Sequence, residues 1–313
     1  MLSEREFRST GWFQPVGKRA RKGRRMDWVN AVVQGALLGG LYALFAAGLS
    51  LMFGIMRLIN IAHGDLIVLA AYLALLAVRF LGLDPFLCLL VVTPLMFAFG
   101  YGLQRGLLNA TLGPDILPPL LVTFGLSIMI QNGLLEAFSA DSHRLQAGAI
   151  ETASLHLGGG LAVGWFPLLV FAAAILIIGA LEALLYHTRL GRAFRAVSDD
   201  LDTAQLFGVA HHHVFALATA LALGVVAVAG IFLAIHTNFD PTVGPARLLY
   251  AFEAVIIGGL GSLWGTLAGG VILGIAQSVG AQVNPGLEIL AGHLAFLAVL
   301  VIKPRGIFPR REG

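Results

Sequence analysis

Long apolar runs separated by short polar connections dominate the pattern along the chain. A membrane-spanning helix needs about 20 mainly apolar residues, and eight or nine runs approach that length. In chain order they cover residues 28–56, 66–80, 85–104, 116–135, 165–186, 214–235, 249–264, 266–283 and 289–302. The pattern predicts an all-α fold, a polytopic transmembrane bundle of eight or nine crossings.

Glycines interrupt the runs near both ends of the chain. The first run contains Gly35, Gly39, Gly40 and Gly48, and residues 254–287 form a 34-residue stretch without a charge that exceeds one crossing. Several glycines divide that stretch into two helices. Paired interruptions of this kind are typical of a pathway built from broken helices.

The composition excludes an ordinary water-soluble enzyme. Only 12% of the 313 residues are charged, whereas soluble domains carry about 25%, and the mean hydropathy is +0.86. No polar insertion is long enough for a soluble catalytic domain, so we expect no catalytic residues. The single cysteine, Cys88, excludes a disulfide within one chain and a thiolate metal cluster. We expect no metal site.

The net charge of +3 hides an asymmetry. Residues 1–25 hold eight of the 20 Lys and Arg and two of the 17 Asp and Glu, so this head is +6 and the remaining chain is −3. Basic loops face the cytoplasm, which places there the loop with Arg189, Arg192 and Arg195 and the tail after Lys303. Counting helices backwards then puts Met26 outside, with six basic residues at 18–25 on the wrong side.

Two explanations for this mismatch stay open. The run 28–56 contains a break at its glycines, or translation starts at Met26 and the intact mass of the native product lacks residues 1–25. In either case residues 1–27 are expected to form a basic N-terminal extension that is disordered or not translated. Residues 28–303 then form the transmembrane domain, and 304–313 a basic cytoplasmic tail.

The connection 188–212 is a candidate docking surface for a soluble partner. It reads as one amphipathic helix with Ala193, Val197, Ala204 and Phe207 on one apolar side. Small residues such as Gly208 would let another surface approach closely. The alternative is an ordinary basic cytoplasmic loop.

Short motifs in a fixed order cover nearly the whole chain from Met26. They read N-A-V-V-Q-G at 30–35, G-I-M-R-L-I-N-I-A-H-G at 54–64, T-F-G-L-S at 123–127, T-R-L-G-R-A-F-R-A at 188–196, G-G-L-G-S at 258–262 and K-P-R-G-I-F at 303–308. In these motifs the chain resembles the permeases of importer-type ABC transporters, and in detail the branched-chain amino acid permease family of the LivH type.

The resemblance implies a multi-pass subunit of a bacterial inner-membrane importer. Such a permease pairs with a second, homologous permease, docks two cytoplasmic ABC ATPases and receives substrate from a periplasmic binding protein. The implied ATPase-coupling residues are Gly191, Arg192, Ala196, Asp200, Ala204 and Gly208. The chain lacks a G-x-x-x-x-G-K-[ST] phosphate loop, so ATP is expected to be used by partner subunits and no cofactor by this chain. The expected partners also include membrane lipid, and no binding of nucleic acid is expected.

Two sets of residues are candidates for the substrate pathway. Asn60, His63 and Gly64 interrupt an apolar region, and polar groups at membrane depth suggest a functional site. Alternatively, Asn60 caps a helix that starts near Ile61 at the cytoplasmic surface, with Asp65 in its first turn. The second set lies at the later glycine interruption, and comprises Gly258, Gly259 and Gly261.

Other functions remain open at this stage. Permeases for urea or short amides look alike, and a secondary transporter or channel is a competitor from another class. Glu253 is isolated in the sequence and is expected near the membrane surface, which argues against a proton relay. His293 and Gln277 are expected to form hydrogen bonds between late helices.

Overall fold

The computed structural model describes residues 16–113, 115, 117–156 and 161–308, with side chains from Asp27 onward except that of His156. Its helices are α1 (Val16–Met56), α2 (His63–Leu81), α3 (Cys88–Gly106), α4 (Leu117–Phe138), α5 (Ala149–Thr152), α6 (Trp165–His187), α7 (Arg189–Asp199), α8 (Leu201–Leu206), α9 (His211–His236), α10 (Gly244–Gly258), α11 (Leu263–Val283) and α12 (Glu288–Ile302). Two short strands, β1 (Ser154–His156) and β2 (Ala162–Gly164), pair antiparallel before α6.

Within the described part of the chain, eight helices are long and apolar enough to cross a membrane, which confirms the all-α, multi-pass prediction. They are α1 from Asp27 onward, α2, α3, α4, α6, α9, α11 and α12, the third and last extended by short 3-10 turns. A ninth helix, α10, begins at Gly244 rather than near 249. Its 15 residues cover only about 22 Å at 1.5 Å per residue, so it does not span the bilayer alone.

The core forms around α1 and α9. Helix α9 is buried along nearly its whole length, and α1 packs lengthwise against α11 through glycines. A Cβ on Gly270 would lie 2.6 Å from the carbonyl oxygen of Gly39, and a Cβ on Gly39 would lie 2.6 Å from that of Gly270. Small residues allow membrane helices to approach this closely. The predicted break in 28–56 is wrong, because α1 is continuous and its glycines serve packing.

Helices α7 and α8 define one end of the bundle, which we name the coupling end; the opposite end is the distal end. The Tyr101 hydroxyl at the end of α3 lies 2.8 Å from His213 Nδ1 at the start of α9. The end of α1 approaches the α10–α11 turn, where a Cβ on Gly54 would lie 3.3 Å from Gly261 Cα. Near the start of α1, the Gln34 amide donates to the Ala162 carbonyl of β2 at 2.6 Å. Because β2 precedes α6 and α7 follows it, the N-terminal end of α1 lies at the distal end, in agreement with the helix count.

The basic extension is described only in part. Residues 16–27 continue α1 as helix. Residues 1–15, and 309–313 with Arg310 and Arg311, lie outside the described residues. Translation from Met26 stays a prediction.

Candidate functional site

The connection between α6 and α9 folds into two helices rather than the single amphipathic helix predicted. Thr188 caps α7 by accepting a hydrogen bond from the Gly191 backbone N–H at 3.0 Å. The chain then turns at Asp200, whose carboxylate caps α8 by accepting bonds from the Thr203 N–H at 3.0 Å and the Thr203 hydroxyl at 2.5 Å. The Thr203 hydroxyl bond lowers the pKa of Asp200, so this cap is ionised at neutral pH.

The turn at Asp200 changes which side chains face outward. Val197 and Ala204 are buried against the bundle, as predicted, whereas Ala193 is half-buried. Phe194, which the prediction did not place on this side, is fully buried. Phe207 was predicted on the same side, but its side chain is 84% exposed, beside Leu206 at 86%. Because α8 starts a new helical register after Asp200, the predicted spacing does not carry through to Phe207. We name the exposed part of residues 189–208 the coupling surface.

The implied coupling residues divide into exposed and buried groups. Arg192, Ala196, Asp200 and Gly208 are exposed, whereas Gly191 and Ala204 are buried. A Cβ on Gly191 would lie 2.5 Å from the Leu185 carbonyl carbon. The two buried residues therefore fix α7 and α8 against the bundle, and the exposed four are accessible to a partner.

Helix α7 is also tied to α6 by Arg195. Its guanidinium donates to the Leu185 carbonyl and lies 5.2 Å from the centre of the Tyr186 ring. Arg195 is thereby used within the chain, while Arg189 remains exposed. Because Arg195 joins the two helices, a displacement of α7 would also displace the end of α6.

Helix α2 begins inside the membrane, not at its surface. α1 ends at Arg57, which has a left-handed φ of 53°, and residues 57–62 turn back into the bundle. His63 Nε2 then lies 2.7 Å from the Phe45 carbonyl oxygen. Phe45 is about 16 Å from the Met56 end of α1 at 1.5 Å per residue. Asn60 accepts a bond from the Ala62 N–H at 3.0 Å in the turn before the helix. The N-cap of α2 is Ala62, without a side-chain cap bond, and Asn60 is fully buried. The prediction that Asn60 caps this helix at the surface is therefore wrong.

A second helix starts where α2 starts. A Cβ on Gly64 would lie 2.8 Å from the Leu248 backbone nitrogen, and one on Gly244 would lie 3.0 Å from Asp65 Cα. The N-terminal ends of α2 and α10 therefore meet within the bundle, at a point we name the joint. Asp65 is buried there and accepts bonds from Ser127 Oγ at 2.5 Å and Gln131 Nε2 at 2.9 Å.

The structure separates the two sets of predicted pathway residues. Asn60, His63 and Gly64 lie together at the joint and are fully buried, with the Asn60 amide nitrogen lacking a partner. Gly258, Gly259 and Gly261 lie at the other end of α10, about 21 Å away at 1.5 Å per residue.

The second set forms a turn that the C-terminal segment closes. Gly259 and Gly261 have φ of 108° and 77°, which favours glycine at both positions. The Ile307 N–H donates to the Ile257 carbonyl and the Phe308 N–H to the Gly258 carbonyl, both at 2.9 Å. These bonds satisfy carbonyl groups at the end of α10. The geometry of this turn therefore accounts for the glycines at 258, 259 and 261.

Polar contacts between late helices follow the sequence prediction in part. The Tyr42 hydroxyl donates to Gln277 Oε1 at 2.5 Å, and His293 Nδ1 lies 2.5 Å from Glu253 Oε1. Both Gln277 and His293 thus join helices, as predicted. The surface location predicted for Glu253 is wrong, since its side chain is only 2% exposed.

Sequence reasoning missed the start of α10 and the arginine in its first turn. The dipeptide Gly244-Pro245 was a usable signal, because proline is favoured in the first turn of a helix. Arg247 is the fourth residue of α10, in the same first turn, and is half-buried.

Comparisons with known proteins identify the family to which the chain belongs. Residues 31–302 match the family described as the branched-chain amino acid transport system permease component. The chain is 31% identical to the high-affinity branched-chain amino acid transport system permease protein BraD of Pseudomonas aeruginosa, over 91% of this chain and 97% of that protein. It is 29% identical to the LivH permease of Escherichia coli, over 91% and 96%. A probable LivH of Methanocaldococcus jannaschii is 25% identical over 88% and 91%. No solved structure matches the chain.

Proposed function

Because the chain belongs to the family of branched-chain amino acid transport system permease components, we propose that it forms the membrane pathway of an ATP-driven importer for branched-chain amino acids. The observation that carries the proposal is the family match across residues 31–302, which includes both the bundle and the coupling surface. The relatives named for this transport are covered almost end to end.

The proposed assembly contains a second homologous permease, two cytoplasmic ATPases and a periplasmic binding protein, in a bacterial inner membrane. The coupling end would then face the cytoplasm, in keeping with Arg189, Arg192 and Lys303 at that end. ATP would be bound by the ATPases.

The proposed coupling uses the connections on either side of the coupling surface. Closure of the ATPase pair would displace α7 and α8 through the exposed Leu206 and Phe207. α7 is fixed to α6 by Arg195, and α8 leads into the buried α9. The pathway can change state only if the ATPases contact its two states differently. Apolar side chains that are exposed to water supply such a contact when a partner protein covers them.

A charge placed on the coupling surface tests this proposal. Phe207→Asp should abolish co-purification of the ATPase subunits and ATP-dependent leucine uptake by the reconstituted complex. Phe80→Asp is the matched control, because Phe80 is 81% exposed at the distal end and should leave co-purification intact. Full ATPase binding by Phe207→Asp contradicts the docking assignment.

Substrate class is tested on the unsubstituted complex. Saturable uptake of labelled leucine that requires both ATP and binding protein supports the proposal. Uptake of labelled urea or acetamide without leucine uptake would overturn it.

A further inference from the structure

Arg247 is an unpaired cation within the bundle. It lies in the first turn of α10, whose start at Gly244 is packed against Gly64 at the joint. Among the residues that the structure describes, no carboxylate lies within ion-pair distance of it, and its Nε is buried without a hydrogen-bond partner. Charged groups inside membrane proteins are costly and mark functional sites unless a partner compensates them.

The acidic groups nearby are already occupied. Asp65 is bonded to Ser127 and Gln131, and Glu253 is paired with His293. The N-terminal ends of α2 and α10 each carry about half an elementary positive charge, and the negative Asp65 carboxylate offsets these two partial charges. The exposed Glu288 acts electrostatically on the neighbouring Tyr250, but no described carboxylate forms an ion pair with Arg247.

The surroundings of Arg247 suit an amino acid better than an inorganic anion. Its guanidinium carbon lies 5.9 Å from the centre of the Tyr250 ring, and Tyr250 lies 5.1 Å from Tyr42, centroid to centroid. On the open side of α10, the small Ala246 and the apolar Leu249 are exposed. A carboxylate at the guanidinium would thus have apolar surface beside it.

We propose that Arg247 binds the α-carboxylate of the substrate transiently as it passes from the distal end to the coupling end. The proposal rests on the proposed transport function and specifies its chemistry. A guanidinium presents two parallel N–H donors that match a carboxylate, and urea and acetamide have no such group. Arg247 thus selects amino acids over neutral amides within the membrane pathway itself.

The test changes the sign of the charge at one position. In a Cys88→Ala background, which removes the only native thiol, Arg247→Cys should lower leucine uptake by the reconstituted complex at least tenfold, about 1.4 kcal/mol. Modification with a positively charged aminoethyl thiosulfonate should restore uptake several-fold, whereas a negatively charged sulfonatoethyl thiosulfonate should not. Arg79→Cys is the control, because Arg79 is exposed at the distal end of α2 and should transport normally with either reagent.

Unchanged uptake in Arg247→Cys, or equal recovery with both reagents, overturns the proposal. If that variant fails to assemble, Arg247→Lys decides. It retains the charge but loses the paired donors, so leucine uptake should fall several-fold while ATP hydrolysis stimulated by the binding protein continues. Full uptake by Arg247→Lys would overturn the proposal, because the paired donors of the guanidinium would then not be needed. Absence of leucine uptake in the unsubstituted complex would instead contradict the proposed function.

Discussion

Asp65 provides the negative charge where two helices begin. Its side chain is 1% exposed and holds two hydrogen bonds, from Ser127 and Gln131. Asp65→Asn removes the negative charge near the N-terminal ends of α2 and α10. It also places an amide N–H₂ group, which donates, where Ser127 and Gln131 both donate to the carboxylate. A buried polar group left without its partner costs about 1–3 kcal/mol, so we expect a lower thermal unfolding midpoint in detergent.

The exposed carboxylate of Asp141 in the distal loop is the control for Asp65. Asp141→Asn should leave the unfolding midpoint unchanged. Equal midpoints for Asp65→Asn and the unsubstituted protein would show that the joint does not need the charge.

The sequence predicted Asp65 in a first turn, which is observed, and Asn60 as the cap, whereas Asn60 forms the turn before the helix and Ala62 is the N-cap. It did not predict the bonds of Asp65 to α4, or the proximity of Gly244. Local patterns specify caps because the interacting groups are a few residues apart. The joint depends on residues about 180 positions apart in sequence, and their meeting follows from helix packing that no short pattern records.

Between whole elements, the α1–α11 contact shows how the position of a glycine determines its effect. Gly39→Ala would place a Cβ 2.6 Å from the Gly270 carbonyl oxygen, so the helices must separate. Overpacking of this kind costs about 1–3 kcal/mol. Gly102→Ala makes the same change on α3, where nothing lies within 4 Å of the new Cβ, and loss of glycine freedom favours the helix by up to about 1 kcal/mol.

The two alanine variants should therefore shift stability in opposite directions. Unfolding in mixed detergent micelles, followed by tryptophan fluorescence, would measure both. A destabilised Gly102→Ala together with an unaffected Gly39→Ala would contradict the packing role assigned to the α1–α11 glycines.

Helix positions were largely predictable, and helix depths were not. Each apolar run corresponds to a helix, because about 20 apolar residues are needed to cross a bilayer whatever surrounds them. α2 and α10 start inside the bundle, and their starting points could not be read from hydropathy. The connections 57–62 and 237–243 are partly buried: Asn60 and Phe239 are buried, whereas Arg57 and Thr242 are exposed. Irregular backbone at such a depth is tolerated where it is buried in protein or lines a water-filled cavity.

Across the whole molecule, two units of the same form run in opposite directions. α1 leads from the distal end to the coupling end, turns back at 57–62 and continues as α2. α9 leads from the coupling end to the distal end, turns back at 237–243 and continues as α10. Such inverted units place the break of each short helix near the middle of the membrane. The sequence pattern paired the glycines of the first run with those of residues 254–287. In the structure the second unit begins earlier, at α9.

The orientation of these units is decided by competing basic segments. Six basic residues at 18–25 favour a cytoplasmic distal end, whereas Arg189, Arg192, Arg195 and Lys303 favour a cytoplasmic coupling end. Gln146 in the distal loop and Gln205 on α8 are both exposed, and they form a matched pair for cysteine substitution in the Cys88→Ala background. In intact spheroplasts an impermeant maleimide should label Gln146→Cys, and Gln205→Cys only after lysis. The reverse pattern would mean that the head sets the orientation, and docking of cytoplasmic ATPases at α8 would then be impossible.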